Sequence, residues 1–359
     1  MLSLLDLNNV EVSWRKAKIP KKTPGEFREL TIPNDALKRV QEDALYYVYA
    51  LVRAGVLKVS ACAHGFLPGR NCLSAIHAHS RDARCTVCCD LEDFFTNCKD
   101  EYLQAIMLDS GVAPAYVNGI IRCCAYEGGF PQGSPASPML TNIIMFNTDN
   151  MIAAYAEKHG FRYTRYADDM QFTLEVVTPE TERMLQRTKE NGSHDPYVWF
   201  LYGVEKILQE TLGLKIKHKK DHTIFNHSVT PQSILGITTR QDGHGYNAEK
   251  RFRMRTRAGV CNLYHKIFDQ QGGVPTKEDH LKWSQIKGQV CYCNTVRRAS
   301  DPEAEYSGFD PCIQQKYYQP LEAQFAAKRE EKKVRRTARK STGSRARVLR
   351  ARRPRNDGQ

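Results

Sequence analysis

Hydrophobic residues recur with two periods along the chain, and these periods predict its secondary structure. Apolar residues at three- and four-residue steps between Leu37 and Val52 predict a helix. Apolar and polar residues alternate in Asp169–Val176, the period-two pattern of a half-buried strand, and we expect this strand to form a hairpin with Arg162–Tyr166. Similar patterns predict further helices over 99–108, 114–125, 137–158 and 196–212.

Shorter segments complete the expected order of elements. Two strands around a Pro-Gly turn are predicted between Ile19 and Pro33, and Thr86–Cys89 is predicted to be a strand that ends at Asp90. Ile234–Ile237 is predicted to be a short strand, whereas the polar segment 177–195 is expected to be a loop or insertion. Beyond about residue 248 the pattern is helical, which indicates a mixed α+β body followed by a helical lobe.

Charge is concentrated at one end of the 359-residue chain. Residues 328–359 hold 14 Lys and Arg against three acids, so they carry +11 of the net charge of +13. Such basic segments are usually solvated, and they either bind nucleic acid or anionic surfaces or only increase solubility. The apolar runs are too short to span a bilayer and Asp6 interrupts the N-terminal segment, so we expect a cytoplasmic protein with no membrane partner.

Twelve cysteines raise the question of a zinc site or disulfides. Cys85, Cys88 and Cys89 have part of the spacing of a zinc ligand set, but they lie in a predicted strand. Alternate strand residues point to opposite faces, which is poor geometry for sharing one metal. Buried free thiols are the better interpretation.

Two acidic clusters suggest catalytic chemistry. Asp90 ends one predicted strand, and Asp168 and Asp169 lie in the turn of the predicted hairpin. Carboxylates that meet at such a point favour Mg²⁺, and two ions can stabilise the attacking and leaving oxygens of a phosphoryl displacement. An Asp-Asp pair in a hairpin turn is also common without any catalytic role. Nucleotidyl transfer is therefore one interpretation of the acids and a structural turn is the other.

Several motifs in order make the sequence similar to the reverse transcriptases, from about Ile19 to Phe325. Tyr166-Ala-Asp-Asp169 resembles the catalytic turn of that family, and Asp90-Leu-Glu-Asp-Phe-Phe95 resembles its first catalytic strand. Phe130-Pro-Gln-Gly-Ser-Pro-Ala-Ser-Pro138 resembles the loop and helix start that line the nucleotide pocket. His64-Gly-Phe with Gly69-Arg70 is similar to the stretch upstream of the first aspartate. Within the family the motifs are most similar to retron reverse transcriptases of bacteria.

The resemblance implies a role for each matching residue. Asp90, Asp168 and Asp169 would be catalytic and would hold two Mg²⁺ ions together with the carbonyl of Leu91, with Mn²⁺ as an alternative ion. Phe95 would clash with a 2′-hydroxyl and so select deoxynucleotides, unless its ring only fills the core. The other residues expected to contact the nucleotide are Lys21, Lys22, Arg28, Gln132, Gly133 and Lys220.

A second set of residues is implied to contact nucleic acid. A helix rich in cations would track the backbone of an RNA–DNA hybrid, although charged helix faces are usually only solvated. The residues of this set are Arg70, Lys250, Arg251, Arg253, Arg255 and Arg257.

The implied architecture is the right-hand polymerase fold of the α+β class. Residues 1–89 would form the N-terminal part of the fingers, 90–247 the palm with the remaining fingers elements, 248–327 an α-helical thumb and 328–359 a disordered basic tail. The implied activity is RNA-directed DNA synthesis from dNTPs. Its template and primer would be a structured non-coding RNA, and a defence effector protein would be a partner in anti-phage defence.

Two alternatives and two departures bear on that assignment. A group II intron-type maturase would need a further RNA-binding domain, and a non-catalytic RNA-binding protein would not need all three aspartates. Retron enzymes usually carry Asn-Ala-x-x-His, of which only His79 is present, and Val-Thr-Gly where this chain has Ile234-Leu-Gly-Ile237. Both departures concern recognition of the retron's own RNA and leave the polymerase motifs intact.

Overall fold

The computed structural model describes residues 3–20, 25, 27–80, 82–190, 197–218, 222–225, 232–239, 246–299 and 313–326. The chain divides into two compact units, Met1–His244 and Gly245–Gln359. No helix within these described ranges is both long enough and apolar enough to cross a membrane.

The first unit contains eight strands and ten helices among its described residues. The strands are β1 (Trp14–Pro20), β2 (Phe27–Pro33), β3 (Cys85–Asp90), β4 (Phe161–Tyr166), β5 (Asp169–Leu174), β6 (His222–Phe225), β7 (Ser233–Ile234) and β8 (Ile237–Thr239). The helices are α1 (Leu4–Asn9), α2 (Asp35–Arg53), α3 (Cys72–His77), α4 (Phe94–Asn97), α5 (Asp100–Asp109), α6 (Pro114–Cys124), α7 (Ser137–Ile144), α8 (Phe146–Lys158), α9 (Pro179–Glu190) and α10 (Val198–Leu212).

A four-stranded antiparallel sheet lies at the centre of this unit, in the order β4-β5-β3-β6. One face of the sheet is apolar because every second residue of its strands is apolar, for example Tyr163, Phe172 and Val87, which are register partners. Phe200 of α10 packs on this face and stacks on Phe161 with ring centroids 4.1 Å apart. The sheet, its hairpin turn and the end of β3 form the frame of the site.

Outside the sheet, local signals account for the hairpin of β1 and β2 and for the long helix that follows. The two strands pair antiparallel from Trp14–Pro33 to Pro20–Phe27. Asn34 accepts a hydrogen bond from the Leu37 amide and caps α2, which is the preferred role of asparagine at that position. The helix buries one face, so its predicted apolar spacing is confirmed.

Three predictions about elements of this unit are wrong. Residues 179–190 form α9 rather than a loop, because the Thr178 hydroxyl accepts from the Thr181 amide and caps a helix that begins at a proline. Leu235 and Gly236 have φ of 51° and 74° and form a turn between β7 and β8, where one strand was expected. The single helix predicted over 137–158 is divided at Met145.

The second unit is helical, with one short strand among its described residues. It contains β9 (Tyr246–Ala248), α11 (Lys250–His265) and α12 (Lys277–Arg298), and helical backbone continues over 313–326. A capping box of Thr276 and Asp279 begins α12, and Asp279 also accepts from Lys266 at 2.7 Å. A core around Trp283, Ile286 and Leu321 holds the helices together.

Candidate active site

Two of the three aspartates face each other across the central sheet. Asp90 at the end of β3 is the register partner of Asp169 at the start of β5. Directly opposed residues of antiparallel strands project to the same face, about 4.5–5.5 Å apart at Cβ. The fold therefore brings together two acids that are 79 positions apart in the sequence.

The third aspartate lies in the two-residue turn between β4 and β5, in which Tyr166 pairs with Asp169. Ala167, the first turn residue, has a φ of 57°, a left-handed conformation that favours glycine. The carbonyl of Asp168, the second turn residue, accepts a hydrogen bond of 2.9 Å from the Leu91 amide. The turn is thus tied to the residue that follows Asp90.

A neighbouring loop packs directly against this turn. The His64 amide donates to the Arg165 carbonyl at 2.7 Å, and the Arg165 amide donates to the Cys62 carbonyl at 2.8 Å. A Cβ atom on Gly65 would lie 2.7 Å from the amide nitrogen of Ala167, which is closer than real Cβ contacts. Only glycine fits at position 65 without moving the loop or the turn.

A cleft of about 260 Å³ opens beside the turn. It contains Asp168 of the turn, Arg28 and Leu30 of β2, and residues of the loop before α7. Polar and cationic groups thus lie on one wall, and aromatic rings lie on another. The lining residues are Arg28, Leu30, Phe66, Phe95, Pro131, Gln132, Gly133, Ser134, Ser137, Pro138, Ala167 and Asp168.

The two adjacent phenylalanines of α4 have different environments. Phe94 is buried in the core, whereas Phe95 is half-buried and lines the cleft. Phe66, also in the cleft wall, is 48% exposed, and its ring centroid lies 6.0 Å from that of Tyr166. The sequence motifs did not assign a role to Phe66, although an exposed aromatic ring in a cleft is a common feature of ligand sites.

Gly133 permits a close approach between two backbone segments. Its φ is 127°, and a Cβ atom there would lie 2.6 Å from the Thr31 carbonyl oxygen. The Thr31 amide also donates to the Gln132 carbonyl at 2.9 Å. Gln132 and Gly133 therefore attach β2 to the loop as well as lining the cleft.

The acids offer the donor type that Mg²⁺ prefers. Carboxylate oxygens are hard ligands, and Asp90, Asp168 and Asp169 come from one strand end and the adjoining turn. No three His, Cys, Asp or Glu side chains in the described part of the chain are grouped closely enough to hold an ion. The donor chemistry fits Mg²⁺, and the ligation by Asp90, Leu91, Asp168 and Asp169 remains a prediction.

Other residues singled out in the sequence lie away from the cleft or outside the described ranges. Lys21, Lys22 and Lys220 belong to the second group. Arg70 is half-buried, and its Nη1 atom lies within hydrogen-bond distance of three backbone carbonyls, those of Ser60, Ala61 and Ala63. The structure therefore gives Arg70 a role in holding its own loop, and a contact with nucleic acid stays a prediction.

The cations predicted to contact nucleic acid in the second unit begin α11. Lys250, Arg251 and Arg255 are exposed, while Arg253 and Arg257 are half-buried. Arg253 donates from Nε to the Ala248 carbonyl at 2.9 Å, which orients its guanidinium toward its own backbone. The three exposed cations are the ones placed to meet a phosphate backbone.

Sequence reasoning missed a buried polar group behind the turn. Arg165 is fully buried on the apolar face of the sheet, where it pairs with Asp149 of α8. A signal was present, because the alternation of β4 places Arg165 on the same face as Phe161 and Tyr163. An arginine at a core position requires a buried partner.

Two buried histidines lie behind the turn as well. His79 contacts the hydroxyls of Thr164 and Thr173 at 2.7 Å each, so it joins β4 to β5. Burial lowers the pKa of His79 to about 3 and that of His64 to about 4, which keeps both rings neutral near neutral pH. His79, the retained part of the retron-type motif, is thus a structural residue of the hairpin.

The cysteines of β3 are buried free thiols, as expected. Cys88 donates to the Gln171 side chain at 2.8 Å, and burial raises its pKa to about 12. A thiol with so high a pKa stays protonated, and protonated thiols are poor metal ligands.

Comparison with known proteins agrees with these features. Residues 19–239 match the family described as reverse transcriptase (RNA-dependent DNA polymerase). The chain is 27% identical over 299 residues to the retron Mx162 reverse transcriptase of Myxococcus xanthus, covering 78% of this chain and 56% of that protein. It is 30% identical over 184 residues to the retron Mx65 reverse transcriptase of the same organism, covering 45% and 40%.

Among solved structures, telomerase from Candida albicans in complex with a fragment of telomeric RNA aligns with a TM-score of 0.43 and 10% identity, covering 87% of this chain and 64% of that one. The chain spans about half the length of the curated relatives it matches. The similarity to retron reverse transcriptases indicated by the motifs is confirmed.

Proposed function

Because the chain belongs to the reverse transcriptase family and has its right-hand polymerase fold, we propose that it copies RNA into DNA by adding deoxynucleotides to a primer. The observation that carries this proposal is the pairing of Asp90 with Asp169 beside a cleft that Asp168 lines. Three carboxylates at the mouth of a cleft are what a nucleotidyl transfer site requires.

The proposed roles of the acids follow from their positions. Asp90, Asp168 and Asp169, with the Leu91 carbonyl, would hold two Mg²⁺ ions or Mn²⁺ in their place. When bound, the ions would stabilise the attacking 3′-oxygen of the primer and the leaving pyrophosphate oxygen. The hydrogen bond between the Leu91 amide and the Asp168 carbonyl supports these roles, because it fixes the turn relative to Asp90.

The cleft supports a role in nucleotide selection. Its cavity of about 260 Å³ is open to solvent on the side of Arg28, whose guanidinium suits the triphosphate. Phe95 would lie under the sugar and exclude a 2′-hydroxyl, and Gln132 and Gly133 would flank the nucleotide. Lys21, Lys22 and Lys220 are proposed as further phosphate contacts on the basis of the motifs alone.

The exposed cations of α11 support binding of the RNA–DNA hybrid. Lys250, Arg251 and Arg255 occur within six residues of one helix, and such a cluster attracts a phosphate backbone. Contact through phosphates implies recognition of shape rather than of base sequence.

The similarity to retron enzymes leads to a narrower proposal about the substrate. We propose a structured non-coding RNA as template and primer, with anti-phage defence and an effector protein as its biological setting. What supports the RNA partner is the similarity to proteins named retron reverse transcriptases. Sequencing the nucleic acid that copurifies with the protein tests it, and we expect one RNA covalently or base-paired to DNA copied from it.

Primer extension tests the activity itself. Purified protein is given an RNA template with a DNA primer, dNTPs and Mg²⁺, and the Asp90→Asn variant serves as the control. We expect extension by the wild-type protein and none by the variant. Binding of the primer–template without any extension by the wild-type protein would contradict the proposed activity and favour a non-catalytic RNA-binding role.

A further inference from the structure

The guanidinium of Arg165 lies entirely in the protein interior, one residue before the turn that carries the aspartates. Both Arg165 and Asp149 are 0% exposed. Nε and Nη2 of Arg165 donate to the two carboxylate oxygens of Asp149 at 2.9 and 2.7 Å. Tyr163 donates to the same carboxylate at 2.9 Å. This bidentate pair fixes the orientation of the guanidinium plane.

The other bonds of the guanidinium lead to the turn. Nη1 donates to the Ala167 carbonyl at 3.0 Å, and Nη2 donates to Oδ1 of Asn142 at 3.0 Å. Asn142 in turn donates from Nδ2 to the Gly65 carbonyl at 2.9 Å. One side chain thus connects α7, α8, the hairpin turn and the loop that packs on that turn. We call Arg165, Asp149 and Asn142 the brace.

The same guanidinium also approaches the cleft from below. It lies over the ring of Phe94 at 5.5 Å from the centroid, and Phe94 contacts Phe95 edge-on at 5.2 Å. Phe95 lines the cleft. Arg165 therefore supports both the turn with the acids and the aromatic wall beside it.

Stability alone is a weak explanation for a buried ion pair. Removing two charges from water is costly, and apolar side chains of similar volume often stabilise a core as well or better. Burial by itself lowers the pKa of Arg165, but the Asp149 carboxylate outweighs it and the pKa is raised, so the side chain stays charged. A permanently charged fork with fixed bonds is suited to holding a backbone segment in one geometry.

The turn is a segment that needs such support. Ala167 has a left-handed φ of 57°, which is strained for any residue with a side chain. A strained conformation persists only where surrounding contacts determine it. The hydrogen bond from Arg165 to the Ala167 carbonyl is one of those contacts.

We propose that Arg165 is a positioning residue, which through the brace holds the Tyr166–Asp169 turn in the geometry that aims the Asp168 and Asp169 carboxylates at the metal ions. The inference rests on the proposed function, since it assigns Arg165 to the same reaction. It differs from a purely structural role because it predicts a defect in the reaction step that exceeds any loss of stability.

The test compares Arg165→Lys with Tyr163→Phe. Lysine keeps the charge opposite Asp149 but cannot reach the Ala167 carbonyl and Asn142 as well. Tyr163→Phe removes a hydrogen bond to the same carboxylate without touching the turn, so it is the matched control. The measurements are kcat and the KM for dNTP in single-nucleotide addition, the thermal midpoint, and Mn²⁺ affinity by electron paramagnetic resonance without substrate.

We expect Arg165→Lys to lower kcat about 10- to 100-fold with a KM for dNTP within about threefold of wild type. Its Mn²⁺ affinity should fall about tenfold, as it does when a residue supporting metal ligands is replaced. Tyr163→Phe should stay close to wild type in both. Equal kcat and equal Mn²⁺ affinity in the two variants would overturn the inference.

Two further outcomes keep the test decisive. If Arg165→Lys does not fold, Asn142→Ala replaces it, because it cuts the link to Gly65 and leaves the Arg165–Asp149 pair intact; an unchanged kcat and Mn²⁺ affinity there would overturn the inference. If the wild-type protein does not extend a primer, the proposed function fails, whereas the Mn²⁺ affinities of the variants still decide whether Arg165 orders the acids.

Discussion

Replacing Gly65 by alanine should slow nucleotide addition without unfolding the protein. The alanine Cβ would lie 2.7 Å from the Ala167 amide nitrogen and 3.2 Å from the Tyr166 carbonyl carbon. Ordinary contacts of a Cβ atom begin at 3.4 Å, so the loop and the turn must separate by about 0.7 Å. Both neighbours are backbone atoms, so no flexible side chain can absorb the displacement.

The size of this displacement sets the expected loss of rate. Catalytic groups must be held within about 0.5 Å of their working positions, and a misplacement of about 1 Å costs about 100-fold in rate. We therefore expect kcat to fall about 10- to 100-fold. Local overpacking costs about 1–3 kcal/mol, so most of the protein remains folded.

The assay is single-nucleotide addition at saturating RNA–DNA primer–template, with thermal unfolding measured in parallel. Gly288→Ala in α12 is the matched control, because a Cβ atom there meets nothing within 4 Å and the helix favours alanine over glycine. If Gly65→Ala retained kcat within about threefold of the control, the turn would not be positioned by its contact with Gly65.

Four further outcomes are expected. Asp168→Asn should lower kcat about 1,000-fold or more, since it removes a metal-binding carboxylate, and residual activity above about a tenth of wild type would contradict the two-metal reaction. Phe95→Val should raise the ratio of ribonucleotide to deoxynucleotide incorporation, and an unchanged ratio would mean that Phe95 only fills space. Deleting 328–359, which lie outside the described residues, should flatten the salt dependence of RNA binding by about 0.7 log units per lost phosphate contact while turnover is kept; equal slopes would assign the segment to solubility. Because the pKa of His79 is lowered to about 3, the unfolded chain takes up the proton first, and the free energy of unfolding should decrease below pH 6.5 by about 1.4 kcal/mol per pH unit; His79→Gln should remove that slope, and thermal unfolding at several pH values measures it.

The parts of the fold that the sequence predicted are those with a local signal. The hairpin of β4 and β5 follows from the alternation of apolar and polar residues, and α2 follows from its three- and four-residue spacing and its Asn34 cap. The elements predicted wrongly lack such a signal. Helix α9 has few apolar residues to define a buried face, and its start depends on a single hydroxyl cap at Thr178.

The candidate site divides in the same way. The aspartates could be found from motifs, but their meeting depends on the register of β3 with β5, a long-range pairing that no short segment encodes. Gly65 illustrates the limit further. Its sequence neighbours suggest only a loop, and the reason for glycine is a backbone nitrogen about 100 residues away, at Ala167.

The turn that carries Asp168 is held from three directions, and this explains why distant residues control its geometry. The Leu91 amide holds the Asp168 carbonyl from the side of β3, and Arg165 holds the Ala167 carbonyl from within the core. Gly65 closes the third side by contact alone. Since the first two contacts pull on the turn and the third limits how far it can move, loss of Arg165 should free the turn, whereas a side chain at position 65 should push it. The two changes would therefore lower the rate for opposite reasons, and only the first would increase hydrogen exchange of the turn amides.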